Sequence, residues 1–164
     1  MKRLLLPLVT LLLALPLMNC STHATIDDAY SGYGKQKVVY HINYDNPKQQ
    51  EGALRNIQNH INAVGAENLE VKVVLHGNGL SLLAYPDSLK KTKLKKANST
   101  EQMQVKVDTL KNQDVAFNVC ANTLKGKKID AEEDLYNVDN SDIVPSGVAH
   151  LSHLQGQGYT YIKP

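Results

Sequence analysis

Cysteine is scarce in this 164-residue chain, where Cys20 and Cys120 are the only two. A disulfide-stapled scaffold carries cysteines in even numbers at recurring short spacings, so that class is excluded. An apolar run of the ~20 residues that a membrane-spanning helix needs is lacking too. The nearest approach, residues 4–17, is interrupted by Pro7 and Pro16. Internal repeats and low-complexity tracts are missing, which excludes solenoid and tail-like architectures. The glycine spacings G-x-G-x-x-G and G-x-x-x-x-G-K-[ST] do not occur, so a nucleotide-phosphate loop is not expected. No Ser-His-Asp pattern, paired carboxylates or metal-ligand set is legible either, and no cofactor is implied.

What the chain does have begins with Lys2 and Arg3, the apolar run, and a short polar segment ending in Thr22-His23-Ala24. That order predicts a secretory signal peptide over residues 1–24, cut near Ala24, and a periplasmic or secreted product. The alternative is a lipoprotein anchored at Cys20, although Asn19 stands where a small residue is expected. Residues 25–36 read as a flexible leader and 37–164 as one domain, long enough for a real core. Removing the first 24 residues takes Lys2 and Arg3 and no acid, leaving 16 basic and 16 acidic side chains. A nucleic-acid partner is not indicated by that balance. Lys90, Lys91, Lys93, Lys95 and Lys96 form a local basic cluster, read as a solvated loop and helix start. Cys120 is then the sole cysteine, unable to form an intrachain disulfide. It is a packed side chain, a reactive thiol or half of an intermolecular bond.

Strands and helices alternate along the domain. The stretch "KVVYHI" is β-branched and aromatic, hence a strand. Asn46 and Pro47 then cap and open a helix whose Ala53, Ile57, Ile61 and Val64 form one apolar stripe, ended by Gly65. "LEVKVVLHG" is a second strand, apolar enough to be covered on both faces. A helix over 100–111 follows, with Ser99 as its expected cap and Met103, Val107 and Leu110 on its apolar face. "DVAFNVC" is a third strand, "ANTLKG" a short helix, "AEEDLYN" a turn and "SDIVP" a fourth strand. The last helix has Val148, Leu151 and Leu154 as its expected stripe, and "YTYIKP" is a fifth strand. The pattern predicts an α/β fold of three layers, a mostly parallel five-stranded sheet with helices on both faces.

In open sheets of this kind ligands bind beyond the carboxyl ends of the strands. His41 and Asn43 follow the first strand, His76 and Asn78 the second, Cys120 and Asn122 the third. These six make a candidate rim. Cys120 also precedes a helix, whose unpaired N–H groups favour a thiolate, and His41 or His76 is placed to act as cation or base. Against this stands simple packing, since free cysteine is among the most buried residue types.

The segments "KVVYHIN", "VVLHGNGLSLL", "VAFNVCANTLKG" and "DIVPSGVAHLSHLQGQGYTYIKP" together resemble the DsrE/DsrF-like group of sulfur-relay proteins, in its small exported branch. The similarity spans residues 37–164. It implies a three-layer, flavodoxin- or Rossmann-like fold and homo-oligomers, trimers or hexamers. It also implies a persulfide-bearing cysteine at the end of the third strand, the position of Cys120. Sulfur donor or acceptor proteins would be the partners, as in relatives that work in the reducing cytoplasm, whereas this chain is expected to be exported. The alternative function is an oligomeric module that binds a small ligand or partner at the rim, with Cys120 structural.

Other features carry less. His150 and His153 share a helix side without a third metal ligand, and His60 reads as structural. Gly77 and Gly79 suggest a tight turn or a close approach of backbone to a small ligand. Leu80, Leu82 and Leu83 need cover, from a neighbouring copy or from the lysine loop.

Overall fold

The computed structural model describes residues 32–164. The signal peptide, its Ala24 and Cys20, and most of the leader lie outside the described residues. Five strands, β1 (Gln36–Ile42), β2 (Leu69–Leu75), β3 (Ala116–Cys120), β4 (Ile143–Val144) and β5 (Thr160–Ile162), form one sheet in the order β4-β3-β2-β1-β5. Every pairing is parallel. The helices are α1 (Pro47–Val64), α2 (Glu101–Lys111), α3 (Ala121–Lys127), α4 (Ala131–Asp134) and α5 (Gly147–Gly156).

Strand order and the right-handedness of parallel crossovers decide which face each helix covers. From β1 to β4 the chain steps in one direction, so α1, α2 and α3 lie on one face. From β4 to β5 it steps back past β1, and α5 falls on the other. The larger core packs Leu54, Ile57, Met103, Val107 and Leu110 against Val38, Ile42, Val73, Leu75 and Phe117. A smaller one packs Leu151, Leu154 and Tyr159 against Val39 and Val74. Each fully buried Leu, Ile or Phe contributes ~1.5–3 kcal/mol relative to exposure, so the larger core dominates stability. The α5 face is held more lightly, and its sheet surface carries the polar groups.

Local sequence accounts for the helix starts. Asn46 accepts from Gln49 N at 3.2 Å with Pro47 in the first helical position, and Gly65, at φ 89°, ends α1. For α2 the cap is Thr100, not Ser99, through Thr100 Oγ1 accepting from Met103 N. Ser99 is held in an extended strap instead: its N–H donates to Ala84 O, and its Oγ and carbonyl accept from Gln104.

Two expectations about apolar residues are corrected. Val148 is 66% exposed, because the buried side of α5 runs through Gly147, Leu151 and Leu154 and Val148 lies about 100° off that line. Leu80, Leu82 and Leu83 are at most 1% exposed within the chain itself, since the 3-10 turn Gly77–Leu82 rolls them into the main core. They need no second copy as cover, and Leu94 of the lysine loop packs into the same cluster. That loop is also pinned by Lys91 to Glu133 and Asp134, and by Lys96 to Asp45.

A buried polar knot fixes the loops at the carboxyl end of the sheet. Gln50, with no exposed surface, donates to Tyr44 O at 2.7 Å and Ser81 Oγ at 2.9 Å, and accepts from Asn98 Nδ2 at 2.8 Å. Asn98 also reaches Asp45 O at 3.1 Å. Satisfied networks of this kind hold loops in one arrangement. Here they set the rim on which the candidate site residues stand.

Candidate functional site

Strand alternation places the rim. Val39 and Val74 face α5, so His41, two residues beyond Val39, and His76, two beyond Val74, face the same side. Val119 belongs to the opposite core, which turns the next residue, Cys120, toward α5 as well. Tyr161 pairs with Val39 across β1 and β5 and joins them. Tyr161, His41, His76 and Cys120 therefore stand on four adjacent strands, β5, β1, β2 and β3. Parallel strands bring all four to one edge.

Three of these are chained directly. Tyr161 Oη lies 2.6 Å from His41 Nδ1, and His41 Nε2 lies 2.7 Å from His76 Nε2. The two imidazoles stack with centroids 4.7 Å apart. An Nε2 to Nε2 contact this short requires one proton between the rings. Burial first, then the nearness of His76 and Lys163, pushes His41 down to about 4. Burial, then Lys163, lowers His76 too. Both shifts favour the uncharged form, which suits either ring better to a base than to a cation beside the thiol.

The sign of the resulting pH dependence is definite. Between pH 6.5 and about 4 the unfolded chain takes a proton on His41 that the folded chain refuses, so stability is full above 6.5 and falls as pH drops through that window. Urea midpoints above and inside the window should fall in the wild type and fall less in His41→Gln. Equal falls would refute the assignment.

Cys120 is set apart by what surrounds its sulfur. It is the cap residue of α3, is 5% exposed, and is a free thiol. Burial pushes its pKa up, but the Thr123 hydroxyl and the N–H groups of Gly147, Thr123 and Asn122 pull it down further, and the balance is lowered. The Asn122 and Thr123 donors belong to the first turn of α3 and the Gly147 donor to that of α5, where N–H groups lack helical partners. Thr123 Oγ1 accepts from Gly77 N at 2.9 Å, which leaves its own hydrogen for the sulfur. Gly77, at φ +58°, makes the left-handed turn that aims this N–H. Gly147 is squeezed between neighbours: a Cβ there would lie 2.9 Å from His76 Cβ and 3.3 Å from Cys120 Cβ. Such a cradle stabilises a negative charge on sulfur.

The other expected rim residues contribute less. Asn122 acts through its backbone while its side chain is exposed, and Asn78 is exposed as well. Among the described residues neither Asn43 nor Asn78 hydrogen-bonds to this row. The close approach expected of Gly79 is to the chain's own Ile42 carbonyl, not to a ligand. His60 bridges Tyr40 Oη and Gln36, each at 3.0 Å, in keeping with a structural role. His150 bonds Asn118 at 3.2 Å and stacks on His153. Sequence reasoning missed Thr123, Gly147, Tyr161 and Lys163. Thr123 was within reach, being three residues past a strand-end cysteine in a first helical turn. Gly147 and Tyr161 come to the site only through the order of the strands.

Comparison with known proteins agrees with this fold. Residues 37–164 match the DsrE/DsrF-like family. The chain is similar to the solved structure of a protein of unknown function, MTH1491, from Methanobacterium thermoautotrophicum. The identity is 28% and the TM-score 0.63, over 79% of this chain and 100% of that one. No curated protein matches.

Proposed function

The chain belongs to the DsrE/DsrF-like family, and on that footing we propose that it is a sulfur carrier that holds sulfane sulfur on Cys120 as a persulfide. The observation behind this reading is the donor set on the Cys120 sulfur. A cysteine kept only for packing sits among apolar groups that raise its pKa, whereas here three N–H groups and a hydroxyl converge on it. In loading, the thiolate attacks the outer sulfur of a donor persulfide. A bond forms from Cys120 Sγ to that sulfur, the donor S–S bond breaks, and its electron pair leaves with the donor thiolate. Unloading is the reverse, with an acceptor thiolate attacking the carried sulfur. No external oxidant is consumed.

The same reading includes export after loss of residues 1–24, supported by the charged, apolar and small-residue order of the N-terminus. It also includes assembly as a trimer or hexamer with a sulfur donor or acceptor as partner, supported by the family resemblance. Its rival is a binding module in which the row of histidines holds a small ligand and Cys120 is structural; the 5% exposure of Cys120 favours that rival. Intact-mass measurement of the mature protein, before and after a sulfane-sulfur donor, separates them. The expected result is a gain of one sulfur atom, removed by reductant and absent from Cys120→Ser. An unchanged mass in the wild type would sink the carrier reading.

A further inference from the structure

Two cross-links fix how α1 lies against α2. Glu51 pairs with Lys106 at 3.5 Å, and Gln58 and Gln113 exchange side-chain amide hydrogen bonds at 3.1 and 2.8 Å. In both pairs the second residue follows the first by 55 positions, so the two helices run side by side in one direction. The links stand seven residues apart along the chain, a helical rise of ~10 Å. Between them is a cleft of about 210 Å³. Its floor is Leu54 and Leu110, each 2% exposed, and its walls carry Arg55, Gln58, Lys106 and Thr109. None of the side chains that line it is acidic.

Arg55 is the only arginine among the described residues. It is exposed and, among those residues, makes no hydrogen bond or ion pair. Its guanidinium folds back along α1 over Gly52, where a Cβ would lie 3.7 Å from Nη2. Glu51, one turn earlier, is held by Lys106 and does not line the cleft. We propose that the cleft between α1 and α2 is a binding site for a small organic anion, whose carboxylate lies on Arg55 and whose apolar body lies on Leu54 and Leu110. The site is separate from Cys120, which faces α5 on the other side of the sheet, so it stands or falls apart from the carrier reading.

The lining selects this class of ligand. A guanidinium presents a planar fork that matches a carboxylate with two parallel hydrogen bonds, which a lysine ammonium cannot do. Both amide hydrogens of Gln58 are already used, on Asn62 and Gln113, and the Thr109 hydroxyl donates to Val105 O. Recognition of the charge therefore falls to Arg55, with Lys106 beside it. A bare inorganic anion leaves Leu54 and Leu110 facing water, and an uncharged hydrocarbon leaves the guanidinium unused. The volume is below the ~300–1,000 Å³ of ordinary small-molecule pockets. The body is accordingly a single ring or a short branched chain.

Benzoate is the test ligand, with benzamide as its uncharged shape match and inorganic phosphate as an anion without an apolar body. Binding to the mature chain is followed by the NMR signals of the Leu54 and Leu110 methyl groups at fixed pH and salt. Benzoate should move both leucines and saturate with a Kd of ~1 mM, the scale open to so few atoms. Benzamide and phosphate should each bind at least ~10-fold more weakly, because each lacks one of the two contacts. Arg55→Gln should lose ~10-fold in benzoate affinity with its urea midpoint unchanged, and Arg55→Lys should recover only part of it. Lys48→Gln, which removes an exposed charge outside the cleft, and Cys120→Ser should bind as the wild type does. Benzamide or phosphate binding as tightly as benzoate, or an undiminished affinity in Arg55→Gln, overturns the proposal. Leucine signals that ignore benzoate and shift with protein concentration would mean that a second copy covers the cleft, and would refute the small-anion site.

Discussion

Gly79→Ala is expected to cost at least ~3 kcal/mol of folding stability, the upper range for overpacking. The added Cβ would lie 2.0 Å from Ile42 O, 2.7 Å from Ile42 C and 3.1 Å from Asn43 Cα. All three are backbone atoms, so no rotamer change relieves the clash, and the end of β1 must move. Ile42 O also accepts from His76 N at 3.4 Å, and His41 immediately precedes Ile42. The strain therefore falls on the strand end that carries the histidine row. With a total stability of ~5–15 kcal/mol for a domain of this size, a large share is at risk. Urea unfolding followed by circular dichroism measures it. Gly126→Ala is the control, because nothing lies within 4 Å of its Cβ position; inside α3 it should gain ~0.5–1 kcal/mol. A Gly79→Ala protein with the wild-type midpoint would show that the β1 end yields without cost.

Thr123→Val is expected to silence Cys120 at neutral pH without unfolding the protein. Valine keeps the shape of threonine and removes the hydroxyl. That hydroxyl has two duties: it receives the Gly77 N–H and donates to the sulfur. A hydrogen bond to a charged group contributes ~1.5–3 kcal/mol, and 1.36 kcal/mol is tenfold in an ionisation equilibrium. The thiolate population at neutral pH should therefore drop ~10-fold or more, and the alkylation rate with it. The high-pH plateau should not change. The orphaned Gly77 N–H adds a stability loss of ~1–3 kcal/mol, visible in the same urea experiment. Thr123→Ser should restore most of the reactivity. An unaltered neutral-pH rate in Thr123→Val would mean that the backbone donors alone govern the thiol.

Legibility from sequence followed the range of the interaction concerned. Asn46 and Pro47 were readable because a helix cap is decided within four residues, and the stripe of Ala53, Ile57 and Ile61 because helical periodicity is local. Cys120, His41 and His76 were readable as a group, since all that was needed was three strand ends in a parallel sheet. Ser99 was mistaken for the cap of α2 because its real partners, Ala84 and Gln104, depend on how the strap lies over the turn after β2. Val148 failed for a similar reason: a ten-residue helix offers several apolar lines, and the one chosen depends on what it docks against. Leu80, Leu82 and Leu83 looked like surface to be covered because a 3-10 turn that folds back into a core leaves no periodic signature. The downward shift of the two histidines was hidden as well, because it arises from burial and from Lys163 beyond the last strand.

The placement of α5 alone on its face also bears on when the thiol becomes active in the life of the chain. Cys120 and Thr123 are synthesised together, but Gly147, the third backbone donor, and Tyr161, the last member of the row, come later and near the C-terminus. Chains emerge N-terminus first, and the earlier strands have their own core with α1 and α2 to fold upon. Until the last helix swings across to the opposite side of the sheet, Cys120 lacks part of its donor set. The downward pull on the thiol is therefore complete only when the last helix has docked.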